Sequence, residues 1–209
     1  LIYLGTHSYN QIENLNIQHL LPKLDEIKFH LCQPLSPQII GFCETFLHED
    51  IENQTISINQ YLFERMDRVK NRGGGIIVYI SDDIPYTRRY DLECTDIESV
   101  WIEIRLSNKQ NFLLNFTYRP PNSNQSWIDL YESQIELTDQ LNMEFHLLGD
   151  FNLQYLQPHE HKLFTNSKWS DLITSYGLEQ LIQTPTRVTK NTSTIIDLIY
   201  TNTKNRVTE

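Results

Sequence analysis

The chain has 209 residues, 39% of them hydrophobic and 11% aromatic, with only 7 Gly and 8 Pro; that balance excludes a fibre or a disordered tail and suffices for one sizeable core. Its 17 Lys and Arg against 27 Asp and Glu leave a net charge of −10 with His neutral, which argues against coating nucleic acid by bulk electrostatics but not against a local basic patch. No apolar run approaches the ~18 residues of a membrane-spanning helix, and the start LIYLGTHSYN lacks the basic and long apolar regions of a secretion signal.

In chain order, Leu20, Leu24, Ile27 and Leu31 recur at helical spacing, with Pro22 tolerated in a first turn, so LLPKLDEIKFHL predicts an amphipathic helix. Short β-branched or aromatic runs bounded by turn residues predict strands over 39–44, 74–80, 99–106, 111–118, 144–152 and 194–200. SVWIEIRL alternates apolar and polar, which predicts a sheet with one wet face; HLLGDF and TIIDLI are apolar almost throughout and predict central strands covered on both sides. Two further helices are expected, over 127–141 with Trp127, Tyr131, Ile135 and Leu141 on one face, and over 168–176 with Gly177 as its C-terminal cap. Strands interleaved with helices, without linker or internal repeat, predict one α/β domain over 1–209, most simply two packed sheets with helices outside. PPNSNQS is expected to be a surface loop.

The first residue is not Met, and we expect a piece of a longer reading frame. Cys32, Cys43 and Cys94 are odd in number and far apart, and read as free thiols rather than a disulfide framework or zinc site. Sequons at Asn53, Asn115, Asn124 and Asn191 are expected to be chance, since Asn115 lies inside an apolar run.

Five places put an acid, an amide or a phenol at the end of an apolar run, where a strand delivers it to the rim of a sheet. They are Asn16 in LNIQHL, Glu44 in GFCETFL, Tyr118 in FTYRPPN, the pair Asp150 and Asn152 in LLGDFN, and Asp197 in STIIDLIYTN. Singly, each has an ordinary explanation: Asp and Asn begin turns or cap helices, Tyr118 fits a core, and Asp197 fits a buried partner of an arginine. Asp150 and Asn152 stand out, because alternation along an extended chain sends both side chains the same way. With Glu44 and Asp197 they make three carboxylates and several amides, the ligand chemistry of a hard divalent cation such as Mg²⁺ completed by phosphate and water. Phosphodiester hydrolysis suits such a site: the metal stabilises charge on phosphoryl and leaving oxygens, while a carboxylate orients or deprotonates water.

NIQHLLPKLDEI, GFCETFL, GGGIIVYI, FTYRPPN, LLGDFN and STIIDLIYTN, in that order and spanning about 16–200, resemble the endonuclease domain of non-LTR (LINE-type) retrotransposons, within the endonuclease/exonuclease/phosphatase superfamily. The resemblance implies a four-layer αββα sandwich of the deoxyribonuclease-I type. It implies Glu44 as the principal Mg²⁺ ligand (Mn²⁺ substituting) with Asn16 close to the metal, Tyr118 on the scissile phosphate, and Asp150 activating or aligning the water. It further implies Asn152 as the phosphate-orienting amide and Asp197 as the aspartate that fixes a catalytic histidine. The implied partners are double-stranded DNA and a reverse transcriptase domain in the same polyprotein, acting inside the cell, at the nuclear target. The family ends in a strand with a Ser-Asp-His motif, which does not occur between Asp197 and Glu209; no His follows Asp197. We therefore expect a domain truncated at both ends and lacking the C-terminal strand. At the other end, the family's first strand falls here on the polar run SYNQIEN.

Arg65, Arg68, Lys70 and Arg72 precede Gly73 to Gly75, and Arg88, Arg89 and Arg119 follow. They read either as a solvated loop or as a rim that tracks phosphates, with Arg68, Arg72 and Arg119 as the candidate contacts. The glycines precede a strand instead of following one, which fits neither a P-loop nor a dinucleotide fingerprint. His159 and His161 read as a solvated loop. The leading expectation is a Mg²⁺-dependent endonuclease that nicks DNA and leaves a 3′-hydroxyl. Its rivals are a catalytically incomplete fragment or decayed copy that keeps the fold, and a superfamily member acting on a phospholipid or inositol phosphate.

Overall fold

The computed structural model describes residues 2–4, 11–69, 73–105, 110–155, 167–188, 193–203 and 207–208. They form β1 (Ile2–Leu4), β2 (Gln11–Asn16), α1 (Leu24–Leu31), β3 (Ile39–Cys43), α2 (Asn53–Ile56), β4 (Tyr61–Met66), β5 (Ile76–Ser81), β6 (Tyr86–Arg88) and β7 (Glu98–Ile104). There follow β8 (Phe112–Tyr118), α3 (Ser126–Asp139), β9 (Glu144–Tyr155), α4 (Ser167–Ser175), β10 (Glu179–Gln180), β11 (Arg187–Val188), β12 (Ser193–Thr201) and β13 (Val207–Thr208).

Two sheets result, ordered β13-β1-β2-β3-β5-β4 and β10-β12-β9-β8-β7-β6, with β11 against β12. Alternate residues of a strand point to opposite faces, and both faces of both sheets find a partner. Between the sheets, Ile39, Ile76, Val78 and Ile80 meet Val100, Ile102, Leu114 and Phe116. On the outer face of the first sheet, Ile40, Phe42, Ile77 and Tyr79 take Ile27 and Leu31 of α1 and Ile56 of α2. Outside the second, Trp101, Leu113, Phe145 and Leu147 take Trp127, Tyr131 and Ile135 of α3 and Trp169 and Leu172 of α4. The order helix, sheet, sheet, helix is the four-layer sandwich that the sequence predicts.

Two local expectations need correction, and one strand is confirmed. The face of SVWIEIRL expected to be wet is covered over its first half: Ser99 and Trp101 lie buried beneath α3, where the Ser99 hydroxyl and the Trp101 indole both donate to Gln134 Oε1, at 2.9 and 2.8 Å, and only Glu103 and Arg105 beyond them reach solvent. A buried, satisfied polar residue imitates a solvated one in the pattern. Leu141 does not belong to the buried stripe of α3, which ends at Thr138; it lies past the helix, 38% exposed. The polar run before Asn16 is a full strand, β2, paired in parallel with β3 so that Asn16 stands opposite Cys43.

Two glycines do work that other residues could not. Gly177, at φ 59°, ends α4 with its N–H on the Thr174 carbonyl and the Leu178 N–H on that of Ile173, a Schellman-type cap. A Cβ on Gly149 would stand 2.1 Å from the Thr117 carbonyl oxygen, so only glycine lets β9 lie against β8 there. No helix among the described residues is long and apolar enough to cross a membrane.

Candidate active site

Two parallel strand pairs end at one rim. In the first sheet, the β2/β3 pairing places Asn16 beside Cys43, one residue before Glu44. In the second, the parallel β8/β9 pair sets Tyr118 opposite Asp150, and the antiparallel β9/β12 pair sets Asp197 opposite Asp150. The sheets meet through Asn16, whose Nδ2 donates to Glu44 Oε1 at 2.9 Å and to Asp150 Oδ2 at 2.8 Å. Asn16, Glu44, Asp150, Asn152 and Asp197 all line one cleft of about 670 Å³, with Pro121 at its edge.

The backbone here is bent away from regular strand geometry. Glu44 lies at φ 55° and Asn152 at φ 47°, a region where residues other than glycine are uncommon and costly. Glu44 is pinned by its carbonyl, which accepts the His19 N–H at 2.8 Å. Asn152 sits where the β9/β12 register shifts, between the pairs Asp197↔Asp150 and Ile195↔Tyr155. Such bulges re-aim side chains. Asp150 and Asn152 therefore share the cleft through a bulge rather than through simple alternation, while Phe151 between them is fully buried against Tyr131 and Trp169.

Burial chiefly drives the electrostatics. Asp150 is 2% exposed, and burial, with the charges of Asp197 and Glu44 adding, pushes its carboxyl up to about 6 against the opposing hydrogen bonds from Asn16 and the Asn152 N–H. Tyr118, 5% exposed, has its phenol pushed well above the ordinary value by burial and by its hydrogen bond to the Glu44 carboxylate. It remains a protonated donor at neutral pH. The Arg68 guanidinium lies 5.5 Å from the centre of the Tyr118 ring.

The arginines fall out differently from a phosphate-tracking rim. Arg68 pairs with Glu98, Nε to Oε1 at 2.6 Å, while Glu98 Oε2 accepts the Gly75 N–H at 2.7 Å. Arg65 pairs with Asp67, Arg88 with Glu93 and Glu64, and Arg89 with Asp91 and Glu103. Arg119 is 5% exposed and points its guanidinium at backbone carbonyls. On a chain of net charge −10, acids within reach take the cations first. Arg72 and Lys70 lie outside the described residues, as do His159 and His161.

A divalent cation suits the donor chemistry. Among the described residues no group of three His, Cys, Asp or Glu side chains is arranged as a metal cage, and Mg²⁺ characteristically uses one or two carboxylates with waters and a phosphate instead. Glu44 and Asp150, joined through Asn16, form such a two-carboxylate set; burial chiefly raises the Asp150 carboxyl, and a cation would offset both that cost and the smaller contributions of the Asp197 and Glu44 charges. Sequence reasoning passed over Asn14, which also lines the cleft and whose Oδ1 accepts from Cys43 Sγ at 3.7 Å; its position two residues before Asn16 on one strand was the available signal. It also passed over Thr186, whose Oγ1 accepts the Asp197 N–H at 3.1 Å, and Glu98. Nothing in the local sequence around either residue points to the cleft.

No protein-family model matches the chain, and no curated protein matches it. Solved structures do. An AP endonuclease, LMAP from Leishmania major, superimposes with a TM-score of 0.68 at 12% identity, covering 96% of this chain and 84% of that one. The endonuclease domain of TRAS1, a telomere-specific non-LTR retrotransposon, gives 0.65 at 14% identity over 91% and 83%. A 3′-5′ exonuclease, NExo from Neisseria meningitidis, gives 0.60 at 16% identity over 91% and 86%. The chain thus has the fold of these nucleases, and likeness at this level of identity speaks to the fold alone.

Proposed function

We propose that this chain is a divalent-metal-dependent DNA endonuclease domain from a retrotransposon polyprotein. It cuts one strand of duplex DNA by in-line attack of water, leaving a 3′-hydroxyl that a reverse transcriptase domain of the same polyprotein extends at the nuclear target. The observation that carries this reading is the Asn16 amide bridging the Glu44 and Asp150 carboxylates from two different sheets within one open cleft. The fold shared with an AP endonuclease and a retrotransposon endonuclease domain supports DNA as the substrate.

Glu44, with Asn16 beside it, would hold Mg²⁺, or Mn²⁺ in its place. Bound there, the ion supplies charge for the phosphoryl and leaving oxygens. Asp150, buried in the pairing with Asp197 and hydrogen-bonded by Asn16, takes the proton of the attacking water. The charge of Asp197, opposite it in the ladder, adds to the upward shift of its carboxyl. Asn152 donates from its amide to a non-bridging phosphate oxygen, adding no like charge. Tyr118, whose single O–H is held by the Glu44 carboxylate here, turns it to the same phosphate once Glu44 is engaged with the ion.

Incubating supercoiled plasmid with the protein and Mg²⁺ or Mn²⁺ tests the reading. Open circles whose ends a DNA polymerase extends are expected, and Asp150→Ala or Glu44→Ala should abolish them with an unchanged circular-dichroism spectrum. Undiminished nicking by both variants eliminates the assignment, and hydrolysis of a phosphoinositide without nicking moves the site to that substrate class.

A further inference from the structure

Arg119 follows Tyr118 directly and precedes two prolines. A residue before proline is held extended, so the direction of the Arg119 carbonyl is set by the chain itself. That carbonyl accepts the Asn152 side-chain amide at 2.8 Å, and the Arg119 N–H donates to the Asp150 carbonyl at 2.9 Å. The side chain then returns to the same place. Its Nη1 donates to the carbonyls of Phe151 and Asn152, both at 3.4 Å, and its Nη2 to that of Ser123 at 2.8 Å.

Ser123 closes the turn that begins at Pro120, through its N–H on the Pro120 carbonyl at 3.0 Å, with Pro121 at the turn position that proline favours. One planar guanidinium therefore ties a proline turn that lines the cleft to the strained Asn152 backbone, which lines it too. It is backed by the Trp127 ring, 5.6 Å away. A lysine gathers its donors on a single nitrogen; the planar fork of an arginine spreads them over several and spans carbonyls that lie apart.

We propose that Arg119 is a positioning residue that clamps Asn152 in its left-handed conformation, fixes the rotamer of its amide and sets the Pro121 wall of the cleft. Its part in cleavage rests on the phosphodiesterase reading above; the clamp itself does not. Arg119 acts from beneath the cleft, through Asn152, and touches no phosphate.

The metal-free protein gives the first readout. In ¹H–¹⁵N spectra the Asn152 side-chain amide should shift and exchange faster with solvent in Arg119→Ala and Arg119→Lys, while signals from α1 and β5 stay in place. In plasmid nicking, Arg119→Ala should lower kcat about 100-fold with KM within about threefold, the signature of a misplaced group rather than lost binding. Guanidinium ion at millimolar concentration should restore at least about tenfold of that loss, and methylammonium should not. Unmoved Asn152 signals, an unchanged kcat, or a loss matched by the unfolded fraction in a melt overturns the clamp. A wild-type protein that cuts no phosphodiester while its Asn152 signal responds to Arg119→Ala keeps the clamp and sinks the phosphodiesterase reading instead.

Discussion

Asp150 and Asp197 stand opposite one another in the antiparallel ladder of β9 and β12, and both open onto the same cleft. The proximity of the second charge adds to the upward shift that burial imposes on the first. Asp197→Asn should therefore lower the Asp150 carboxyl toward the ordinary range and move the acidic limb of the kcat/KM profile for nicking to lower pH. A limb that stays put would show that the Asp197 charge does not reach Asp150.

Stability without metal should respond to pH in a defined direction. The Asp150 carboxyl lies at about 6 in the folded chain and near 4 in an unfolded one. The folded state thus holds its proton more tightly, so this group's stabilising contribution is complete below pH ~4 and is lost as pH rises to about 6. Asp150→Asn should melt higher than wild type at pH 7, by up to about 2 kcal/mol, and no higher at pH 4. Equal melting curves at pH 7 refute this.

Cation binding should be visible calorimetrically. A ligand at ten times its Kd that binds only the folded chain stabilises it by about 1.4 kcal/mol. Mg²⁺ titrated into the wild type should raise Tm to that degree, and the rise should shrink in Glu44→Gln and in Asp150→Asn. An identical rise in all three proteins would place the ion elsewhere.

Gly149→Ala tests the close approach of β8 and β9. The added methyl meets the Thr117 carbonyl oxygen at 2.1 Å, a backbone atom that moves only by breaking the ladder on which Tyr118 and Asp150 are paired. A destabilisation of about 3 kcal/mol, with loss of cleavage, is expected in urea melts and nicking assays.

Arg68 and Glu98 should behave as a unit. Each is largely buried, with side-chain exposures of 20% and 16%, and each leaves a stranded partner when the other is removed. Arg68→Gln and Glu98→Gln should each destabilise by about 1 to 2 kcal/mol, with the double variant costing less than their sum. Full additivity, or an Arg68→Gln effect confined to the salt dependence of DNA binding, would return Arg68 to the role of a free phosphate contact.

The strands of the two central sheets were legible because runs such as IIVYI and FLLNFTY are buried on both faces and carry little else. β2 and β4 were not, for a shared reason. Gln11 and Glu13 of β2 hydrogen-bond each other, and Glu64 of β4 takes Arg88 and the Tyr86 hydroxyl, so their polar side chains are satisfied by partners that no local pattern announces. Asn16 and Glu44 could be named because strand ends deliver them to one rim; Asp150, Asn152 and Asp197 were named from the ends of apolar runs but lie within β9 and β12, where the pairing shifts. The bulge at Asn152 and the burial of Arg119 were hidden, since each arises only when β8, β9 and the proline turn come together. A lone arginine in a loop reads as solvated until the fold closes over it.

The bond from Asn16 to Asp150 spans 134 positions of the chain and joins the two sheets. With the sheets undocked, each carries only its own share, Asn16 and Glu44 on one and Tyr118, Asp150, Asn152 and Asp197 on the other. Cleavage is then a stringent reporter of assembly: it should appear late in refolding, after the helical signal has recovered, and at the slow pace that distant pairings impose.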